Sequence, residues 1–413
     1  MVRTTFFTVI LLVLQLQHQS FAQSDYKDAD EFNVAYQYQL NSPVLFQHRV
    51  AIGQNEATVF LKVIRQSNEL NINSINYEIK ADYQGDEVVR KAELEGGQKL
   101  INDSNSDIYQ FTFPLTENSK YLFIFLDASI RENNYTYLYD IALDTDQNFP
   151  LTDLLIMEAD RDIPVFNPTL TEDTEFRLVS FYGEDSTRAF IYHYTHEFPP
   201  NLPPMAEGSA EVQKSLSIDT VLEVQMGQKL SFNEQGLYFC QTDTTSLSGI
   251  SFRLTDNYYP RYVTAEGLIA PLRYISTSEE MENLNKADNT KQALDRYWVK
   301  ATRSRERAKD VIRNYYRQVY AANALFTFYK EGWKTGQGMV YTLFGAPDEV
   351  YRSATQERWI YNDENNLVDN LNFTFVKVRN IFTDQHYNLI RDEDYRRFWY
   401  RNIDLWRKGR KQI

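Results

Sequence analysis

The sequence predicts a multidomain, mainly β protein, with two sandwich-like β domains followed by a C-terminal α+β domain that contains a long amphipathic helix. Three observations support this prediction. The length of 413 residues suggests two to four domains, at roughly 100–200 residues each. The chain has 29 Tyr and 26 Phe, and aromatic residues favour strands. At about residue 276 the apolar residues change from strand-like runs to helical spacing.

The predicted boundaries follow these changes of pattern. The apolar runs 57–64, 108–113 and 121–126 have the length and spacing of sandwich strands. Strand-like sequence patterns then continue to residue 275. The prediction is a signal peptide over residues 1–22 and a β-sandwich-like domain over residues 23–148. A second β-rich domain follows over residues 149–275, and a helical segment joined to an α+β domain over residues 276–413.

Two features organise the second β-rich domain. The runs 176–182 and 189–194 flank the turn-forming residues 183–186, which predicts a β-hairpin. The Pro-rich stretch 199–204 cannot be an interior strand or helix, because proline lacks an amide hydrogen and fixes φ. We interpret this stretch as a stiff loop within the domain, and a linker is the alternative.

Helical patterns dominate the start of the C-terminal domain. Thr277 and Glu280 form a capping box, and apolar residues at helical spacing over 308–329 predict an amphipathic helix of about six turns. Strands are predicted after it, at residues 339–344, 358–361, 373–378 and 387–390. A last helix is predicted to begin at Asp392, with an apolar face formed by Tyr395, Phe398, Trp399, Ile403 and Trp406.

The N-terminus has the pattern of a secretory signal peptide. Arg3 supplies a positive charge, residues 6–14 are continuously apolar, and Ser20 and Ala22 are the small residues of a cleavage site. An apolar run of this length is too short to cross a bilayer, which takes about 20 residues of helix. We therefore expect export to the periplasm or the medium, cleavage near Ala22, and a soluble mature chain without a membrane span.

Charge and residue types exclude several classes of function. The 43 Lys and Arg against 57 Asp and Glu give a net charge of −14, which disfavours nucleic-acid binding. Cys240 is the one cysteine, so the chain has no internal disulfide framework and no cysteine-rich zinc site. Residues 144–148 begin like a calcium loop, but Phe149 and Leu155 replace the required Gly and Glu. We predict no metal and no cofactor.

One ordered set of residues is specific enough to suggest a family. It comprises Gly332, Trp333, Thr335, Gly338, Tyr341, Gly345, Pro347 and Asp348. This set resembles the signature of the GWxTD domain, a family of exported bacterial proteins whose function is poorly understood. The resemblance covers roughly residues 290–390. Its outlying positions are Arg317, Val319, Ala322, Asn323 and Phe326 upstream, and Trp359 and Tyr361 downstream. It implies β-rich regions ahead of the domain.

The sequence departs from the family pattern at charged positions. Gly336 stands where the family usually has Asp, and Gln337 and Met339 stand where basic residues are common. If the family builds a charged site from these positions, that site is damaged in this chain. If the charges serve only a turn, Gly336 can replace the Asp, because glycine adopts positive φ freely.

The residues themselves predict a helix–loop–strand unit. The long helix is predicted to end near residue 330, with Gly332 just past its end, and Trp333 is predicted to pack back on the helix. Gly336 and Gly338 would permit a tight loop into the strand 339–344. We interpret these residues as fold-defining, and a ligand-binding or catalytic role is the alternative.

The function predicted from these patterns is a non-enzymatic binding or assembly module of the bacterial envelope. Its partner would be another envelope or secreted protein, or a polymer. The C-terminal segment 391–413 has eight basic and four acidic residues, so it is either a solvated helix face or a docking surface for an anionic partner.

The alternative function is a hydrolase with a site beside Trp333, Thr335, Asp348 and Asn323. A pocket in which these side chains converge would favour the enzyme. A packed Trp333 with Asp348 capping a turn would favour the module.

Overall fold

The computed structural model describes residues 22–143, 152–183, 188–206, 216–362 and 371–411. The predicted signal peptide, residues 1–22, lies outside this part apart from Ala22. Residues 144–151 of the segment compared with a calcium loop also lie outside it. Within the described residues the fold is mostly β, with helices concentrated near the C-terminus, as predicted.

The N-terminal part is a sandwich of two four-stranded antiparallel sheets, with strand orders β2-β3-β8-β7 and β10-β9-β4-β6. Its strands are β1 Ala22–Gln23, β2 Val44–Ile52, β3 Glu56–Arg65, β4 Leu70–Lys80, β5 Glu87–Val88, β6 Arg90–Glu93, β7 Lys99–Asn102, β8 Ser106–Pro114, β9 Tyr121–Ile130 and β10 Asn133–Ala142. Apolar residues of the two sheets, such as Val59 and Ile124, meet in a core between them. The predicted sandwich is confirmed.

A five-stranded sheet of order β12-β17-β16-β14-β15 and a separate pair, β11 with β13, form the second β part. The strands are β11 Leu154–Glu158, β12 Thr169–Thr171, β13 Phe176–Ser180, β14 Arg188–Tyr194, β15 Thr220–Gln225, β16 Gly236–Gln241 and β17 Ile250–Thr255. The predicted hairpin is wrong, because β13 pairs with β11 whereas β14 pairs with β15 and β16. Local turn residues do not reveal that the two strands belong to different sheets.

The Pro-rich stretch 199–204 is a loop within the second β part, since it lies between the paired strands β14 and β15. It leaves the sheet and lies against the C-terminal part, where the amide of Asn201 donates to the carbonyl of Lys334 at 2.9 Å. Cys240 on β16 is fully buried, and burial raises the pKa of its thiol.

The C-terminal part packs helices around a four-stranded antiparallel sheet of order β18-β19-β20-β21. Its elements are α1 Ala265–Ile269, α2 Ser278–Asn285, α3 Thr290–Thr302, α4 Arg305–Phe326, α5 Gly336–Phe344, β18 Glu349–Arg352, β19 Gln356–Tyr361, β20 Leu371–Lys377, β21 Tyr387–Leu389 and α6 Tyr395–Arg407. The capping box at Thr277 and the six-turn helix α4 are confirmed. The last helix has Asp394 rather than Asp392 at its N-cap position, without a side-chain capping bond.

Two predictions about the signature region are wrong. Residues 339–344 belong to helix α5 rather than a strand, and all nine residues of α5 are buried. A run that is apolar on every side shows no period that separates a buried helix from a buried strand. Helix α4 ends at Phe326, so Gly332 is not its terminal glycine but begins a 3-10 turn, Gly332–Lys334.

A segment near the N-terminus joins the sandwich to the C-terminal part. It contains two 3-10 turns, Ala29–Glu31 and Ala35–Tyr38, and we call residues 24–40 the strap. The amide of Val34 donates to the carbonyl of Val350 on β18 at 2.9 Å. The Tyr38 ring packs on Trp359, with 4.8 Å between ring centroids. The C-terminal core therefore includes side chains from both ends of the chain.

Candidate functional site

The signature glycines allow backbones to approach closely. A Cβ atom at Gly332 would lie 2.0 Å from the carbonyl oxygen of Ala322 on α4, and one at Gly338 would lie 1.8 Å from the carbonyl oxygen of Gly332. Both distances are far below van der Waals contact, so any side chain would force the loop off the helix. These glycines are required for close packing rather than for a loop with positive φ.

Trp333 is packed as predicted, with 1% of its surface exposed. Its backbone amide donates to Oδ1 of Asn323 at 3.1 Å, and its indole Nε1 donates to the Tyr262 hydroxyl at 2.8 Å. Asn323 is itself buried, and its Nδ2 donates to the carbonyl of Pro260 at 3.1 Å. The Asn323 side chain thus fastens the loop to α4, and both of its polar atoms have partners.

Thr335 caps the N-terminus of α5. Its Oγ1 accepts from the amide of Gly338 at 2.9 Å and donates to the carbonyl of Gly332 at 2.7 Å. Thr335 is therefore an N-cap that holds the 3-10 turn and the helix together. The predicted tight loop into a strand is replaced by a helix start.

Asp348 lies beyond the other end of α5. Gly345 ends the helix with φ of 92°, and its amide donates to the carbonyl of Tyr341 at 2.8 Å. Pro347 is buried in the turn that follows, whereas Asp348 is exposed and its Oδ2 accepts from the amide of Asn362 at 2.7 Å. Nine helical residues separate the two ends by about 13 Å. Thr335 and Asp348 therefore do not converge on one pocket.

A buried ionic cluster near α5 connects the strap, the sandwich and the C-terminal part. The sequence analysis did not predict it. Glu357 on β19 is fully buried, and its carboxylate accepts from Arg352 Nε at 2.6 Å, Gln337 Nε2 at 2.8 Å and the Tyr38 hydroxyl at 2.6 Å. The Arg352 guanidinium also pairs with Asp140 on β10. Gln337, at a position where the family commonly has a basic residue, supplies an N–H donor to this carboxylate.

A cavity of about 430 Å³ lies beside the cluster, where the sandwich, the second β part and the C-terminal part meet. Strand β2 contributes His48 and Arg49 to its wall, and β10 contributes Tyr139. The hydroxyl of Tyr139 lies 2.7 Å from His48 Nδ1. Burial lowers the pKa of His48 to about 4 and that of Arg49 to about 10. The imidazole is therefore neutral at pH 7, while the guanidinium keeps its charge.

The other histidines in the described part of the chain take part in packing. His193 on β14 stacks on Tyr238, and His196 contacts Phe198 edge to face. His386, the histidine nearest the signature along the chain, has its Nδ1 3.3 Å from the Tyr329 hydroxyl, and burial lowers its pKa to about 4. Within the described ranges no three His, Cys, Asp or Glu side chains gather as a metal site. No helix there is long and apolar enough to cross a membrane.

Comparison with known protein families confirms the resemblance suggested by the motif. Residues 236–408 match the model of the GWxTD domain. The match begins well before the segment of about 290–390 suggested by the motif, and it includes β16 and β17 of the five-stranded sheet. No curated protein matches the chain.

Proposed function

We propose that the chain is an exported, non-enzymatic binding or assembly module of the bacterial envelope, in which the GWxTD domain is the scaffold that fixes the two β parts. The observation that carries this proposal is the separation of the signature residues. Trp333 and Asn323 are buried and bonded to their neighbours, and Thr335 and Asp348 lie at opposite ends of α5. In this proposal the signature side chains stabilise the fold.

A basic surface supports the choice of an anionic partner. The end of α6 lies against the start of α4, since a Cβ atom at Gly409 would be 3.5 Å from Cβ of Arg307. Exposed basic side chains lie at or next to these two helix ends, and we call them the basic corner: Arg303, Arg305, Arg307, Lys408 and Arg410. On a chain with a net charge of −14, such a surface is suited to an acidic partner protein or an anionic polymer.

Docking is tested by capturing partners from envelope extract with the full mature chain. We expect Arg305→Gln combined with Arg307→Gln to reduce capture of the principal partner, and raised salt to do the same. Arg131→Gln, an exposed arginine on the sandwich, is the matched control and should capture normally. Equal capture by all three proteins would contradict docking at the basic corner.

The hydrolase alternative is tested by a screen against peptides, esters, glycans and phosphoesters. We expect no turnover above that of a heat-denatured sample. Asp348→Asn is compared with Glu349→Gln, its neighbour at the start of β18. Turnover abolished by the first substitution and kept by the second, with both thermal midpoints unchanged, would overturn the non-enzymatic function.

A further inference from the structure

The junction cavity is separate from the signature loop and has the size of a ligand site. Its volume of about 430 Å³ falls within the roughly 300–1,000 Å³ of small-molecule pockets. Its walls come from three parts of the chain, and sites of this kind often lie where such parts meet. The cavity wall also carries two charged groups, Arg49 and Asp384, that form no ion pair with any described residue.

Arg49 is a cation without an acidic partner in direct contact. Its Nε donates to the carbonyl of Val165 at 3.0 Å and its Nη1 to the carbonyl of His48 at 3.2 Å. Neither acceptor is charged, and none of the ion pairs found among the described residues includes Arg49. A guanidinium has five N–H donors, so further donors remain for a carboxylate.

Asp384 is an acid in the same wall. Its Oδ2 accepts one hydrogen bond, from Gln385 Nε2 at 2.8 Å. Its charge acts on both Arg49 and His48 but does not form an ion pair with either in the described part of the chain. The other charged pair at the cavity, Arg352 with Asp140, is already satisfied within the buried cluster.

The rest of the wall is largely apolar and aromatic. Phe166 comes from the second β part, and Phe328 and Phe382 come from the C-terminal part. The His48–Tyr139 pair adds a neutral polar group. A complementary ligand therefore has an apolar body and carries both a negative and a positive group.

We propose that the junction cavity binds a small zwitterion with an apolar body, a hydrophobic amino acid or short peptide, whose carboxylate contacts Arg49 and whose ammonium contacts Asp384. The carboxylate of the ligand is the counter-ion of Arg49, and its ammonium is the counter-ion of Asp384. This site is independent of the proposed docking at the basic corner.

The test uses the full mature chain and four forms of one dipeptide, Leu-Phe: free, N-acetylated, C-amidated, and blocked at both ends. Affinity is measured by calorimetry. We expect the free form to bind best, and removal of either charge to weaken binding about tenfold or more. Equal affinity of the four forms, or no binding of the free form, would overturn the proposal.

Substitutions of Arg49 and Asp384 test which charged group of the ligand each residue contacts. In Arg49→Gln, amidation of the dipeptide should no longer matter while acetylation still does, and Asp384→Asn should show the reverse. Arg49→Lys should keep part of the preference for a free carboxylate, and Arg131→Gln should behave as the unaltered chain. If both variants retained the full sensitivity to both blocking groups, the two contacts would be wrong. Should Arg49→Gln fail to fold, the ligand series with the unaltered chain and Asp384→Asn decides.

Discussion

At the residue scale, the GWxTD signature is a set of packing and capping devices. Gly332 and Gly338 let two backbones touch, Asn323 bonds the amide of Trp333, and Thr335 caps the next helix. Close backbone approach, the bond to the amide and the helix cap each depend on the residue type at that position. Substitutions at these positions should therefore act first on stability.

Trp333→Ala should lower the free energy of unfolding by about 3–5 kcal/mol, because it leaves a large cavity against α4 and removes the bond to Tyr262. Denaturant unfolding measures this. Val299→Ala, at an exposed position of α3, is the control and should change stability by about 0.5 kcal/mol at most. A loss from Trp333→Ala no larger than the control's would be incompatible with a packed indole.

Two partly buried imidazoles make stability depend on pH. Burial lowers the pKa of both His48 and His386 to about 4, whereas an unfolded histidine titrates near 6.5. Between these values the unfolded chain binds more protons, so their stabilising contribution is complete above about pH 6.5 and is lost as the pH falls toward 4. Each histidine contributes up to about 3 kcal/mol to the total loss of stability over this pH range.

Thermal unfolding between pH 7 and pH 4.5 checks the histidine effect. The variant His48→Gln with His386→Gln should show a shallower loss of stability on acidification than the unaltered chain. Asp384, Asp140, Arg49 and Lys377 act on His48 and remain in both proteins, so the difference isolates the imidazoles. Identical slopes would show that neither histidine is buried as described.

At the scale of elements, the sequence predicted the helices and strands whose formation depends on residues close together in the chain. The period of α4, the capping box at Thr277 and the strands β19, β20 and β21 were recognisable from the sequence. Helix α5 was mistaken for a strand because its wholly buried run has no polar face. Thr335 was the available signal, since a threonine before such a run is a helix N-cap.

Thr335→Ala should destabilise the protein by about 1 kcal/mol, because the amide of Gly338 loses its acceptor at the start of α5. Thr335→Ser keeps the hydroxyl and should restore most of this loss. Chemical unfolding of the three proteins makes the comparison. Equal losses from alanine and serine would mean that the methyl group rather than the cap is what matters.

At the scale of the whole molecule, the contacts that organise the candidate sites are long-range. Asp140 and Arg352 are 212 residues apart in sequence, and Tyr38 reaches Glu357 across 319. No local pattern predicts such partners, which is why the buried cluster and the junction cavity were missed. The predicted boundary near residue 275 stays a prediction, and the one near 148 falls outside the described residues.

The shared core predicts that residues 276–413 do not fold cooperatively alone. This fragment would lack Tyr38, which packs on Trp359 and Phe326, and Phe125 of the same core. Circular dichroism during heating should show a broad transition for the fragment and a sharp one for the mature chain. A sharp transition at the same midpoint in the fragment would refute the shared core.

The central claim is that the signature loop is a fixed part of the core. Hydrogen exchange of the unaltered mature chain tests it most directly. Gly332, Trp333 and Gly338 are buried and their amides donate to side-chain oxygens, so these amides should exchange only on global unfolding, as slowly as the amides in the middle of α4. Exchange of these three amides at the rate of an exposed loop, while α4 stays protected, would contradict the claim.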